Sequence, residues 1–251
     1  MSARAKIVKA LVAKLNEITS KQNFSIAGSA VPTFGSLISE LNNALRGATA
    51  SLDGNNDLRV TNTSAGSEAK IGLRDIGSRR LFSSLSGYSK IKNAVDGTDP
   101  TNGYQRVSLD PSSTNTTDPT GLNISKTYTT TITIDGAAQA VSLAGSNCTT
   151  YNTLVNELNA NTSGCTIKFV GSTGELQVKS TSSGVTSSVS IVDTGTDKLF
   201  SSLTNYDSIN TAIAGIDAAA GHQVVELTGS PTLGSATGLQ NLDTFVYTCE
   251  V

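Results

Sequence analysis

The sequence predicts an α+β protein of two tandem repeats, each an antiparallel sheet packed on one main helix, with an N-terminal amphipathic helix and a C-terminal strand. Three observations lead there. The pentapeptide "LFSSL" occurs at Leu81–Leu85 and again at Leu199–Leu203, 118 positions on. Its flanks match at the same offset: Ile91 with Ile209, Gly97 with Gly215, Asp75 with Asp193. Upstream the offset is 117, so "TFGSLISELN" (33–42) lies over "TYNTLVNELN" (150–159). Such self-similarity marks a duplicated supersecondary unit. The copies run over about 22–111 and 139–229.

Residues 1–21 form the first segment. Ile7, Leu11, Leu15 and Ile18 recur at helical spacing, with Val8 and Val12 widening the stripe and Arg4, Lys6, Lys9 and Lys14 on the other faces. This reads as a helix docked on its own domain or on a neighbouring subunit. Repeat 1 (22–111) and repeat 2 (127–230) then follow one order: strand, helix, hairpin, strand, short helix, strand. Each opens on a short strand, "FSI" or "VSL", and a glycine turn. Thr33 and Thr150 are candidate N-caps. The helices present Phe34, Leu37, Ile38, Leu41 and Leu45 in one copy, and Tyr151, Leu154, Val155 and Leu158 in the other. Hairpins follow around "DGNND" and "GSTG". A further strand ("AKIGLRD", "SVSIVD") leads into "LFSSL", whose apolar residues are expected to plug the end of the sheet. Residues 112–126, rich in Ser, Thr and Asn, read as a linker, and 231–251 as a C-terminal strand segment.

Composition excludes several functions. Charged residues are 15% of the 251 and net charge is −2, so nucleic-acid binding, which needs a concentrated basic face, is not expected. No apolar run reaches the ~20 residues of a membrane span. Lys9 and Lys14 interrupt any signal-peptide core, which predicts synthesis in the cytoplasm. Cys148, Cys165 and Cys249 fit no zinc spacing and read as small buried hydrophobes, although a Cys148–Cys165 bridge is conceivable. His222 is the one histidine, and its counterpart is Tyr104. Asp75 and Asp193 offer one carboxylate per copy, not a pair. "DGNND" carries oxygen ligands of the calcium type. With no nucleophile–base pair or phosphate loop in the sequence, neither catalysis nor a cofactor is expected.

The stretch 131–184 resembles the flagellin-hook IN motif: a strand ending in Asp135-Gly136, a helix ending in Leu158-Asn159, and a strand with Leu176, Val178, Ser180 and Gly184. In the first copy Leu41-Asn42, Leu58, Val60, Thr61 and Gly66 match, without the leading strand. The resemblance spans about 55 residues of each copy. It implies a structural protein of a tailed-phage virion (tail, neck, fibre or capsid surface), partnered by itself as a homo-oligomer and by other virion proteins, made in the host cytoplasm. The alternatives are a flagellar hook-associated protein or a host-surface, glycan-binding module. The motif positions are core and turn residues and name no active site.

The C-terminus repeats the start of the second copy. "TGLNISKTYTTTITI" (120–134) lies over "TGLQNLDTFVYTCEV" (237–251), setting Tyr128 over Phe245, Thr130 over Tyr247, Ile132 over Cys249 and Ile134 over Val251. Residues 244–251 are thus expected to supply the strand the first copy lacks, by strand addition. Donation to a neighbouring subunit is favoured over closure within the chain. The assembly residues are then Phe245, Tyr247, Cys249 and Val251 on the strand, and Ile7, Leu11 and Leu15 on the N-terminal helix.

Overall fold

The computed structural model describes residues 21–110 and 115–251. The expected N-terminal helix, with Ile7, Leu11 and Leu15, lies outside the described residues. The chain divides into two compact units. Unit 1 takes the chain as far as Asp99 together with Ala218–Val251, and unit 2 is Pro100–Asp217.

In unit 1, β1 (Lys21–Ala27) leads to α1 (Phe34–Ala44), β2 (Ala48–Leu52), β3 (Leu58–Asn62), β4 (Gly72–Asp75) and β5 (Tyr88–Ile91); β13 (His222–Leu227) and β14 (Thr244–Glu250) complete it. They make two antiparallel sheets, ordered β1-β14-β4 and β2-β3-β13-β5. Unit 2 contains β6 (Tyr104–Leu109), β7 (Thr127–Ile134), β8 (Ala137–Ala144), α2 (Tyr151–Ala160), β9 (Cys165–Val170), β10 (Glu175–Ser180), β11 (Val189–Asp193) and β12 (Tyr206–Ile209). Its sheets are β11-β7-β8 and β12-β6-β10-β9.

This overturns the α+β reading. Among the described residues, fourteen strands in four antiparallel sheets dominate, with one α-helix in each unit. The helices contribute only Phe34, Leu37 and Leu41, or Tyr151, Leu154 and Leu158, to the buried set. Most of each core comes from strands of both sheets, for example Leu58, Val60, Leu73, Val225 and Tyr247 in unit 1. The error has a physical cause. A 3.6-residue stripe stands out in a sequence, whereas short strands that find partners far along the chain leave only weak two-residue patterns.

Several local readings match the structure. The Thr33 hydroxyl accepts the Ser36 N–H at 3.2 Å while the Ser36 hydroxyl accepts the Thr33 N–H at 3.0 Å; Thr150 and Thr153 repeat this reciprocal cap. Asp135 and Gly136 both take positive φ, 51° and 84°, as the tight β7–β8 hairpin requires. Both "LFSSL" copies form a 3-10 turn, over Phe82–Ser84 and Phe200–Ser202. Leu81, Phe82, Leu199 and Phe200 are wholly buried. Each turn is held by the matched aspartate. Asp75 accepts the N–H groups of Phe82 and Ser83, both at 2.8 Å, and Asp193 those of Phe200 and Ser201 at 3.0 and 2.8 Å.

The compact units are cut differently from the sequence repeats. β6 closes the first repeat in sequence but lies in unit 2, between β10 and β12. β13 closes the second repeat but lies in unit 1, between β3 and β5. Gly97 and Gly215 mark the approach to these crossings. A Cβ on Gly215 would run into the carbonyl oxygens of Gly184 and Thr101, and one on Gly97 into those of Gly66 and Ala219.

Candidate functional site

The residues singled out for assembly on the C-terminal strand all lie within unit 1. β14 runs antiparallel between β1 and β4, facing Phe24 with Tyr247 on one side and Leu73 with Cys249 on the other. It occupies in unit 1 the place that β7 holds in unit 2. Phe245 is 3% exposed, and Tyr247 and Cys249 are fully buried. Tyr247 stacks on Phe24 at 5.0 Å between ring centroids and meets the edge of Phe82 at 5.4 Å. Val251 is partly buried against the same cluster.

The expectation of donation in trans is thereby corrected: β14 pairs within its own chain. Closure in cis requires the chain to reach back across a whole repeat. That reach is already made by β13, which belongs to unit 1 and precedes β14 by the short segment 228–243. No local pattern in the sequence announces this crossing of the repeats.

The IN-like residues fasten the fold. Asn159 bonds both backbone groups of Ile167 on β9: its amide nitrogen donates to the Ile167 carbonyl and its carbonyl oxygen accepts the Ile167 N–H, each at 2.8 Å. Asn42 does the same to Ala50 on β2, at 3.0 and 2.7 Å. An asparagine in the last turn of the helix thus takes the place of a neighbouring strand. The Asp135 carboxylate accepts from the Ser180 hydroxyl at 2.9 Å and the Ser188 N–H at 2.8 Å, tying the β7–β8 turn to the end of β10 and the approach to β11. The Ser188 N–H holds its carboxyl below the usual range. The matching of Thr61 to Ser180 shifts by one residue: Asn62 stands at that position, donating to the Lys70 carbonyl and accepting the Ser64 N–H.

The carboxylates of the "DGNND" turn are engaged in structure. In the "DGNND" turn, Asp53 accepts the N–H groups of Asn55 and Asp57, and Asp57 accepts the Leu227 N–H and meets Lys92 at 3.0 Å. Among the described residues, no group of three or more His, Cys, Asp and Glu is placed to hold a metal, and no helix is long and apolar enough to cross a membrane. His222 is half-buried at the start of β13, and burial lowers its pKa. All three cysteines are free, so Cys148 and Cys165 are not bridged. Burial pushes the Cys148 thiol up to about 11 and the Cys249 thiol up to about 12.

No family model and no curated protein matches this chain. Among solved structures, the chain is similar to the flagellar cap protein FliD from Bdellovibrio bacteriovorus, at 12% identity over 74% of this chain and 98% of that one, with a TM-score of 0.36. It is also similar to the D2-D3 domains of the flagellar cap protein FliD from Serratia marcescens, at 14% identity over 70% of this chain and 91% of that one, with a TM-score of 0.32.

Proposed function

We propose that the protein is a structural module of an external assembly built from many protein copies, working as a stiff spacer or surface element and not as a catalyst. One observation carries this reading. The residues shared by the two copies, the Asn42/Asn159 brackets and the Asp75/Asp193 turn clamps, spend their polar atoms on holding strands and turns together. A duplicated module whose recurrent Asn42/Asn159 and Asp75/Asp193 pairs serve its own framework suits a structural part of an assembly.

Two settings fit. A tailed-phage virion component is supported by the IN-like stretch together with a weakly charged, Ser/Thr/Gly-rich chain. A flagellar hook-associated protein is supported by the same stretch. In either setting the partners are further copies of this chain and the other components of the particle.

Immunogold electron microscopy separates them. Antiserum against the purified protein is applied to phage particles and to sheared flagella from the producing strain. Gold on virions supports the first setting, and gold at the flagellar hook or tip the second. Antigen confined to the soluble fraction, sedimenting as a single chain, overturns both.

A further inference from the structure

The two crossing strands carry the same inward pattern. Val107 and Leu109 of β6 match Val225 and Leu227 of β13, and all four are buried. Gln105 accepts the Ile191 N–H, as Gln223 accepts that of Leu73. Nothing on the inner face therefore tells either strand which unit to enter. The alternative, each repeat closing on its own last strand, is open to the chain. β5 and β6 would then be joined by residues 92–103, and β12 and β13 by residues 210–221, loops long enough to close each repeat on itself.

The outward positions differ. Arg106 on β6 faces Gln177, and its guanidinium reaches Glu175 at 2.9 Å while lying 5.2 Å from the centre of the Tyr104 ring. The matching residue on β13 is Val224, which faces Arg59. Two positions along β13, Glu226 meets Lys92 at 3.3 Å and Lys90 at 3.7 Å. Its match on β6 is Ser108, which faces Glu175.

Exchanging the strands in the same registers breaks the Arg106–Glu175 pair and parts Glu226 from Lys90 and Lys92. Arg106 would face Arg59, while Asp57, which stands where Glu175 stands in unit 2, already holds Lys92. Glu226 would face Glu175, with Asn210 where unit 1 has Lys92. Like charges directly opposite on an antiparallel pair destabilise it, and outward charge is a recognised means of excluding a wrong pairing.

We propose that this outward charge register assigns β6 and β13 to their units, selecting the crossed arrangement over two repeats closed on themselves, with Arg59, Arg106, Glu175 and Glu226 as the specificity-determining residues. The apolar face makes the strands interchangeable, and the charged face makes them distinct.

Disulfide trapping in the full chain tests this. All variants carry Cys165→Ser, are unfolded in urea with reductant, refolded, and only then mildly oxidised. His222→Cys with Thr61→Cys reports the crossed pairing, because these positions face each other across β13 and β3. His222→Cys with Lys179→Cys reports the uncrossed one, because Lys179 faces Tyr104, the match of His222. Facing Cα atoms in a ladder lie about 4.5–5.5 Å apart, within disulfide range. With native charges the first pair should link and the second should not. Exchanging the key residues, Arg106→Val with Val224→Arg, should raise the yield of the uncrossed link about ten-fold, a shift of ~1.4 kcal/mol. Arg59→Gln alone removes one repulsive pair without touching the crossed contacts, and should raise it several-fold. If Arg59→Gln leaves the two yields at their native values, the proposal is overturned, whether or not the exchanged variant folds.

Discussion

Truncating the central phenylalanine of each "LFSSL" turn tests the reading of that motif as a core plug. Phe82 and Phe200 are both fully buried, each in its own unit's apolar cluster. A phenylalanine buries about 150–250 Å², which at ~25 cal/mol per Å² is worth about 4–6 kcal/mol. Core Phe→Ala substitutions cost about 3–5 kcal/mol. Phe82 also meets the Tyr247 ring edge-on at 5.4 Å and 66°, a contact worth about 0.5–1.5 kcal/mol beyond its area. Phe82→Ala should therefore cost more than Phe200→Ala by about that amount. Against a typical domain stability of about 5–15 kcal/mol, either loss is severe but measurable. Native-state hydrogen exchange read by mass spectrometry gives both magnitude and location. Phe200→Ala should weaken protection across β6–β12 by about 3–5 kcal/mol. Phe82→Ala should do so across β1–β5 and β13 and, through Tyr247, across β14. Losses below ~1 kcal/mol, or a Phe200→Ala effect that falls chiefly on β14, would refute the plug reading.

Three further outcomes follow from the same structure. Asn159→Ala removes both bonds to Ile167 and Asn42→Ala both to Ala50, so each should cost about 1–2 kcal/mol in urea unfolding; a cost under ~0.3 kcal/mol would show the brackets to be dispensable. At pH 8 a thiol reagent should label the partly exposed Cys165 in the native protein, leaving Cys148 and Cys249 to react only after unfolding, because burial has raised their pKa values to about 11 and about 12; rapid labelling of three thiols in the native state contradicts this. Hydrogen bonds from Ser67 to Asp99 and from Ser188 to Asp135 lower both carboxyl pKa values, so their contribution is present above the unfolded value near 3.8 and is lost as pH falls through the folded values. The urea midpoint should accordingly drop below about pH 4, and less steeply in Asp99→Asn and Asp135→Asn; unchanged acid limbs in both variants would count against it.

What the sequence by itself determined was local and repeated. The threonine caps, the Asp-Gly turn and the buried "LFSSL" pentapeptides were legible because each depends on residues a few positions apart, and duplication wrote each pattern twice. The match of 237–251 to 120–134 correctly indicated that β14 is the counterpart of β7. Tertiary structure alone decided which elements meet. Val107 and Val225 are equally good core residues for either unit, so the inner apolar pattern left open that β6 crosses into unit 2 and β13 into unit 1. The balance of sheet over helix was hidden for the same reason. It depends on strand partners more than a hundred residues apart, such as Arg59 with Val224 and Phe24 with Tyr247. Hydrophobic burial is non-directional: it dictates which side chains go inside but not which segment covers them, and because β6 and β13 share one inward pattern and one register, the distinction falls to the charges on the outer face.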